Sequence, residues 1–255
     1  MAVSRQSLSE RLQDVRERIA AACARARRDP AEVRLMAVTK TQPPEAVALA
    51  ASLGLTLLGE NRVQEAEWKS PAVAALLAAA PGQPAAALEW HLIGPLQSNK
   101  AARAAALFQV VQTLDRPELA QRLDRLHQAR TRSAAARDPL PVMLEINLAR
   151  EPQKHGAAPD MAPSLADAVL ACSSLHLCGL MTVPPDLPAD QARPYFAQLR
   201  ELSIRLRQTR GLSTQPWALS MGMSHDYEVA IEEGATLVRL GTALFGPRGS
   251  IAGPR

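Results

Sequence analysis

The sequence has few aromatic residues and few cysteines. Only 3% of its 255 residues are aromatic, which argues against a base-stacking nucleic-acid platform and leaves the core to Leu, Val, Ile, Met and Ala. The three cysteines are Cys23, Cys172 and Cys178. An odd number without a CxxC pair supports neither a disulfide framework nor a zinc site. We therefore expect a reduced, cytoplasmic protein that binds no nucleic acid.

Membrane segments and several catalytic motifs are also absent. The longest apolar stretch, residues 72–80, ends at Pro81 and is too short to span a bilayer. Charged residues precede any apolar run at the N-terminus, which excludes a signal peptide. The sequence contains no GxGxxG, GxxxxGK[ST], HExxH or GxSxG motif, and its histidines lack metal-ligand spacing. We expect a soluble protein without P-loop or metal chemistry and without a membrane partner.

The basic excess is concentrated near the N-terminus. Of the formal net charge of +4, residues 1–30 carry +3, from seven Arg against four acidic residues. The pattern predicts an amphipathic helix over 7–28, in which Ser7 and Glu10 have capping-box spacing. Mixed charge is typical of a solvated helix face. A non-enzymatic module that binds an acidic partner through this helix is a weak alternative.

Eight apolar runs are typical of buried strands, and a predicted helix follows each of the first seven. They span residues 33–40, 55–61, 88–94, 108–115, 141–148, 175–183, 217–224 and 236–246. Alternating β and α elements imply parallel strands with right-handed crossovers. Eight units in this length fit a (β/α)₈ barrel. A doubly wound open sheet is the alternative fold.

The predicted fold is a single α/β domain, a TIM-type (β/α)₈ barrel with an extra N-terminal helix. The helix occupies residues 1–30, the barrel 31–246 and a C-terminal tail 247–255. Only nine residues follow the last run, so we expect the N-terminal helix to fill the place of the missing eighth outer helix. Residues 81–87 and 130–140 are predicted loops. A monomer is expected.

Lys40 ends the first apolar run, where a barrel places its active site. An ammonium beside apolar residues is costly unless it is paired or functional. Burial lowers the pKa of a lysine and so enriches the neutral amine that attacks aldehydes. The alternative is a strand-end lysine that points into solvent.

Glycines and hydroxyls mark the ends of the last two runs. Gly222 and Ser224 end the seventh run, and Gly241 and Thr242 lie in the eighth. Barrels often bind phosphate in the loops after strands seven and eight, where glycine permits close backbone approach and hydroxyls donate hydrogen bonds. The alternative is that these glycines only serve tight turns between strand and helix.

Arg239 lies inside the eighth run, where strand alternation points its side chain into the barrel. A buried guanidinium needs partners, either a carboxylate such as Glu145 or an acceptor atom of a ligand. A lysine that forms imines, a phosphate cradle and an inward arginine together suggest pyridoxal 5′-phosphate (PLP). A lysine-dependent aldolase that binds a sugar phosphate is an alternative from another class.

A family resemblance extends over most of the chain. It is carried by the segments AVTKTQP (37–43), GENRVQE (59–65), WHLIGPLQSNK (90–100), INLAREPQKHG (146–156), GLMTV (179–183), LSMGMSHDYEVAI (219–231) and VRLGTALFG (238–246). In order and approximate spacing they resemble the YggS-type pyridoxal-phosphate homeostasis proteins. The fold of that family is a single barrel like the N-terminal domain of alanine racemase.

The resemblance implies roles for particular residues. Lys40 would hold PLP as a Schiff base, and Arg239 would face the pyridine nitrogen. The phosphate would be held by Ser224, Gly241 and Thr242. Asn61, in the GEN segment, would be a nearby pocket residue. His91 and Asn147 also lie in matching segments, where hydrogen bonding at strand ends is the alternative role.

The resemblance further implies a PLP carrier rather than an efficient enzyme. Racemases of this fold have a second, β-rich domain that supplies a catalytic tyrosine, whereas this chain ends with the barrel. An arginine at the pyridine nitrogen keeps that nitrogen unprotonated and weakens the ring as an electron sink. The expected function is PLP binding in intracellular vitamin B6 homeostasis, with PLP-dependent apo-enzymes as candidate partners. A PLP-dependent amino-acid racemase or decarboxylase is the alternative.

Overall fold

Eight parallel strands close into a barrel in chain order, from β1 beside β2 around to β8 beside β1. The computed structural model describes residues 4–79, 87–131 and 138–247, so the predicted loops at 81–87 and 130–140 and the tail lie mainly outside the described residues. The strands are β1 Arg34–Val38, β2 Leu57–Glu60, β3 Glu89–Leu92, β4 Val110–Leu114, β5 Leu140–Glu145, β6 Leu175–Met181, β7 Ala218–Ser220 and β8 Leu237–Leu240. The predicted barrel is confirmed over the open sheet.

A helix precedes the barrel and another follows every strand. The helices are α1 Arg5–Arg25, α2 Pro44–Ser52, α3 Val63–Ala78, α4 Ala101–Leu107, α5 Pro117–Thr131, α6 Ala162–Leu170, α7 Ala189–Thr209, α8 Tyr227–Glu232 and α9 Thr242–Phe245. The last of these corrects the sequence interpretation, in which residues 236–246 form one strand. Strand β8 stops at Leu240, because Gly241 leaves the extended conformation (φ −113°, ψ −75°) and caps α9.

Helix α1 begins two residues earlier and ends three residues earlier than its predicted range, 7–28. The predicted capping box of Ser7 and Glu10 is wrong. The N-cap is Ser4, whose hydroxyl accepts a hydrogen bond from the Ser7 backbone N–H at 3.1 Å. A Ser at this position satisfies one of the unpaired N–H groups of the first turn. The predicted apolar stripe is buried at Leu8, Leu12, Val15 and Ile19.

Helix α1 packs against α8 and against α9, which is the short final helix of the barrel. Its arginines make the contacts: Arg18 Nη2 lies 2.5 Å from Glu228 Oε1, and Arg25 Nε lies 2.6 Å from Glu232 Oε1. Arg11 Nε donates to the Leu244 carbonyl at 2.6 Å. The basic excess of the N-terminal segment is therefore used inside the fold, which disfavours its role as a separate binding module.

Methionine and aliphatic side chains form the core inside the barrel. The barrel interior holds a cluster of six buried side chains, Met36, Leu57, Val110, Met143, Met181 and Leu237. Unbranched methionine adapts to irregular gaps. A second, larger cluster fills the layer between the strands and the outer helices. Within the described residues, no helix combines the length and apolar character needed to cross a membrane.

Candidate functional site

A cavity of about 320 Å³ opens at the C-terminal mouth of the barrel. Six of the seven predicted site residues line it, namely Lys40, Asn61, Ser224, Arg239, Gly241 and Thr242. The described lining contains the side chains of Lys40, Arg239 and His225 and no carboxylate. Sequence reasoning missed the remaining lining residues, Val38, Ile93, Val183, Met223 and His225. Each lies near a strand end, which is the one signal that could have found them.

The backbone before Lys40 is held by a buried ionic cluster. The Lys69 ammonium, which is 0% exposed, donates to the Thr39 carbonyl at 2.7 Å. It also lies 2.7 Å from Glu60 Oε1 and 2.7 Å from Glu65 Oε1. Burial raises the pKa of the Glu60 carboxyl, and the charge of Lys69 opposes that shift. The cluster fixes the peptide group from which the Lys40 side chain enters the cavity.

The backbone after Lys40 is held by the same cluster. Thr41 has a φ of +64°, which is a strained conformation for a β-branched residue. Its N–H donates to Glu65 Oε1, so the carboxylate that contacts Lys69 also holds the strained residue. Sequence reasoning missed this cluster. The signal was the i, i+4 spacing of Glu65 and Lys69 on α3, a favourable order on a helix.

Backbone N–H groups converge on Ser224 at the side of the cavity formed by β7 and β8. The Ser224 hydroxyl oxygen accepts from the N–H of Gly241 at 3.3 Å and from the N–H of Ala243 at 3.2 Å. A Cβ added at Gly241 would meet no nearer atom than Val38 Cβ at 3.6 Å. An added Cβ would therefore make ordinary van der Waals contact with Val38, so packing of the protein does not require glycine at this position of the cavity lining.

Gly222 is the one predicted site residue outside the cavity lining. It adopts a φ of +95°, and an added Cβ would lie 2.7 Å from Ala230 Cβ and 2.9 Å from Tyr227 Cα. A side chain is excluded by both conformation and space. The position thus fits the alternative reading, a tight turn that brings the end of β7 against α8.

Arg239 is 4% exposed and reaches the cavity from β8. Its Nη1 donates to Ser220 Oγ at 2.7 Å and its Nη2 to the Thr182 carbonyl at 2.8 Å. Burial lowers the pKa of Arg239 to about 10, so the side chain stays charged at neutral pH. Of the two partners that the sequence left open, the Glu145 carboxylate forms no hydrogen bond or ion pair with Arg239 among the described residues, although its charge opposes the lowering of the Arg239 pKa.

A chain of hydrogen bonds continues from Arg239 through the barrel interior. Ser220 Oγ donates to Gln112 Oε1 at 2.6 Å, and Gln112 Nε2 lies 2.7 Å from His91 Nδ1. His91 Nε2 lies 2.7 Å from Glu89 Oε1. Because arginine can only donate, the Ser220 oxygen accepts from Arg239, and the Ser220 hydroxyl donates its hydrogen bond to Gln112. The amide group of Gln112 then donates to His91 Nδ1. His91 is therefore a neutral donor to Glu89 through Nε2.

The pKa shifts of His91 and Glu89 agree with the donor-to-acceptor direction of this hydrogen-bond chain. Burial lowers the pKa of His91, which keeps the ring neutral. The hydrogen bond from His91 lowers the pKa of Glu89 to about 2, with a further contribution from Arg34. His91 does not line the Lys40 cavity among the described residues. Asn147 also lies outside it, and its amide donates to the carbonyls of Glu151 and Lys154 at 2.8 and 3.3 Å.

Glu145 ends β5, which lies opposite β1 in the closed barrel. The side chain is 8% exposed, and its Oε2 has no hydrogen-bond partner among the described residues. Burial, with the charge of Asp115, raises the pKa of Glu145 to about 7. The mouth of the barrel therefore holds a carboxyl group that titrates near neutral pH.

Comparison with known proteins places this geometry in a family. A model of the alanine racemase N-terminal domain matches residues 11–249. A pyridoxal phosphate homeostasis protein of Pseudomonas aeruginosa is 44% identical over 244 residues, which cover 95% of this chain and 96% of the relative. The chain belongs to the pyridoxal phosphate homeostasis protein family. The resemblance found in the sequence is thereby confirmed.

Solved structures agree with this family assignment. PipY of Synechococcus elongatus, whose structure has PLP bound, matches with a TM-score of 0.76 and 34% identity. The match covers 94% of this chain and all of PipY. An alanine racemase of Clostridium difficile matches with a TM-score of 0.69 at 13% identity, over 98% of this chain and 59% of the racemase. At that identity the racemase shares the fold alone.

Proposed function

We propose that this chain binds PLP at the C-terminal mouth of its barrel and serves PLP homeostasis, with PLP-dependent apo-enzymes as recipients. The observation that carries the proposal is one cavity that joins Lys40, Arg239 and the Ser224–Gly241 cradle. The names of the curated relatives and the PLP-bound PipY structure support it.

The residues present fit the cofactor. A volume of about 320 Å³ lies within the usual range for small-ligand sites. The cationic side chains of Lys40 and Arg239 and the absence of a carboxylate from the described lining suit a phosphate dianion. Gly241 and Ser224 line the cavity where the N–H groups of Gly241 and Ala243 point to Ser224, and this arrangement suits a group that accepts several hydrogen bonds.

The six predicted residues of the lining then divide the binding of the cofactor among them. Lys40 would hold the cofactor covalently, and Ser224, Gly241 and Thr242 would hold its phosphate. Arg239 would donate to the pyridine nitrogen, and Asn61 would complete the wall beside Lys40. When bound, PLP supplies an aldehyde that reacts with amines and a ring that withdraws electrons.

Arg239 also accounts for a carrier rather than an efficient catalyst. A guanidinium offers only N–H groups, so it favours an unprotonated pyridine nitrogen and weakens the ring as an electron sink. The bonds to Ser220 and Thr182 hold Arg239 in this orientation. The side chain stays charged at neutral pH, since its pKa is about 10.

Reduction with borohydride tests the attachment of PLP. The purified protein is treated with borohydride, digested and mapped by mass spectrometry, and the pyridoxyl group is expected on Lys40. Lys40→Ala should lose the label while keeping its far-UV circular dichroism. A label only on Lys69, Lys100 or Lys154 would contradict the assignment. Lys69 is the internal control, because it is fully buried in its ionic cluster.

A turnover assay tests the carrier role separately. Protein at full PLP occupancy is assayed for racemisation and decarboxylation across the common amino acids. We expect no sustained turnover near the usual enzymatic range of about 1–10³ s⁻¹. Turnover in that range on any amino acid would replace the carrier with the racemase or decarboxylase alternative, even if the label maps to Lys40.

A further inference from the structure

A second cavity, of about 560 Å³, lies at the opposite, N-terminal mouth of the barrel. Its lining comes from the beginnings of the strands: Arg34 opens β1, Glu89 opens β3 and Ala218 opens β7. Its volume falls in the range of small-molecule sites. It shares no lining residue with the Lys40 cavity among the described residues.

The floor of this second cavity is apolar. Its apolar lining residues, called the floor here, are Val110, Pro141, Met143, Trp217, Ala218 and Leu237, and the same lining also contains His91, His176, Cys178 and Thr236. Such a surface binds an aliphatic or aromatic group through burial of apolar area. The floor therefore selects a ligand with an apolar body.

One side of the cavity carries opposite charges next to each other. Arg34 is about half exposed (54%) and forms an ion pair with Glu89 through Nη2. Its remaining N–H groups have no acceptor among the described residues. Glu89 is 34% exposed, and Glu32, 55% exposed, lies on the same lining. Glu89 Oε1 also accepts from His91, and Glu32 pairs with Arg28. The cavity thus offers the remaining N–H groups of one guanidinium beside two partly exposed carboxylates, each of which keeps lone pairs for a further donor beyond its present partner.

We propose that this cavity binds a free α-amino acid with an apolar side chain. The carboxylate of the ligand would bind Arg34, its ammonium would bind Glu89 and Glu32, and its side chain would lie on the apolar floor. A simple anion would be repelled by the two carboxylates, and a simple cation would be repelled by the guanidinium. A zwitterion can pair with groups of both signs. The proposal does not rest on the proposed function, because neither Lys40 nor Arg239 lines this cavity.

Three ligands that differ only in charged groups test the proposal. L-Phenylalanine, phenethylamine and 3-phenylpropionate are titrated calorimetrically into the full-length protein. Charge-assisted hydrogen bonds are the strong ones, so phenylalanine should bind about tenfold or more tighter than either analogue. In Arg34→Gln, phenylalanine should no longer bind more tightly than phenethylamine. In Glu89→Gln, phenylalanine should no longer bind more tightly than 3-phenylpropionate. Arg103→Gln, at an exposed ion pair with Glu67, is the control and should change neither.

Two further arms separate this site from the Lys40 cavity and from misfolding. Binding should be unchanged by Lys40→Ala and by prior borohydride treatment, because no imine is involved. If Glu89→Gln fails to fold, Glu32→Gln is used in its place, because Glu32 is exposed and lies outside the barrel strands. Glu32→Gln should weaken the binding of phenylalanine. The proposal is overturned if no ligand saturates, if either analogue binds as tightly as phenylalanine, or if binding depends on Lys40 and not on Arg34.

Discussion

The Lys69 ammonium lies 2.7 Å from the carbonyl oxygen of Thr39, the residue directly before Lys40. The same ammonium contacts Glu60 and Glu65, and Glu65 also accepts from the Thr41 N–H. One buried cluster thus holds the peptide groups on both sides of the lysine proposed to carry PLP. None of the three charged side chains of the cluster lines the cavity, so the Lys40 backbone is held without placing a carboxylate in the cofactor site.

The first prediction is that Lys69→Met destabilises the protein strongly. Removal of one partner from a buried ion pair leaves an uncompensated charge and typically costs about 3–5 kcal/mol. Arg103→Met, at an exposed pair with Glu67, should cost less than about 1 kcal/mol. The free energy of unfolding is measured in urea for both variants. Equal losses would show that the cluster does not support the fold.

The second prediction concerns the proposed phosphate site. Each hydrogen bond to a charged acceptor contributes about 1.5–3 kcal/mol, so Ser224→Ala with Thr242→Ala should weaken PLP binding by roughly 10²-fold or more. Pyridoxal, which lacks the phosphate, should bind poorly to the native protein and be little affected by the double substitution. Equilibrium titration by absorbance gives both affinities. Equal losses for both ligands would mean that the two hydroxyls support the fold instead.

The barrel and most of its candidate site could be predicted from the sequence because both depend on local order along the chain. Lys40 and Gly241 follow strand ends that apolar runs mark clearly, and parallel strands bring those ends to one mouth. The spacing of Glu65 and Lys69 could have indicated one ion pair of the ionic cluster, but neither the rest of that cluster nor the hydrogen-bond chain could be predicted. Lys69 and Gln112 are polar residues within regular elements, and their burial depends on which neighbours the closed barrel brings against them.

The third prediction is that His91 is neutral and carries its proton on Nε2. Arg239 sets this tautomer through Ser220 and Gln112, because each group accepts a hydrogen bond from the group before it and donates one to the group after it. Nitrogen-15 NMR of the histidine rings at neutral pH should show a protonated Nε2 and an unprotonated Nδ1 for His91.

Gln112→Glu is the matched variant for this prediction. A carboxylate opposite Nδ1 favours protonation there, so the pKa of His91 should rise and its ring should gain a second proton at neutral pH. His155, which lies on no strand, provides the reference signal in the same spectra. An Nδ1 proton in the native protein, or an unchanged ring in the variant, would contradict the proposed direction of the chain.

The fourth prediction is that Glu145 makes stability fall as pH rises. Its pKa is raised from 4.5 to about 7 by burial, so the folded state binds more protons than the unfolded state between these two values. The contribution of Glu145 to the free energy of unfolding is fully present below about pH 4.5 and is lost as pH rises through about 7. A shift of this size corresponds to on the order of 3 kcal/mol.

Glu145→Gln should remove that dependence, because glutamine has the same shape and does not titrate. Urea unfolding of both proteins at pH 5 and pH 8 isolates the effect, since every other titrating group is shared between them. The variant should gain stability relative to the native protein between the two values. Glu201→Gln, at a position 60% exposed, should show no such gain. If the difference between native protein and Glu145→Gln is the same at both pH values, Glu145 is already ionised at pH 5 and finds compensation that its unpaired Oε2 does not indicate.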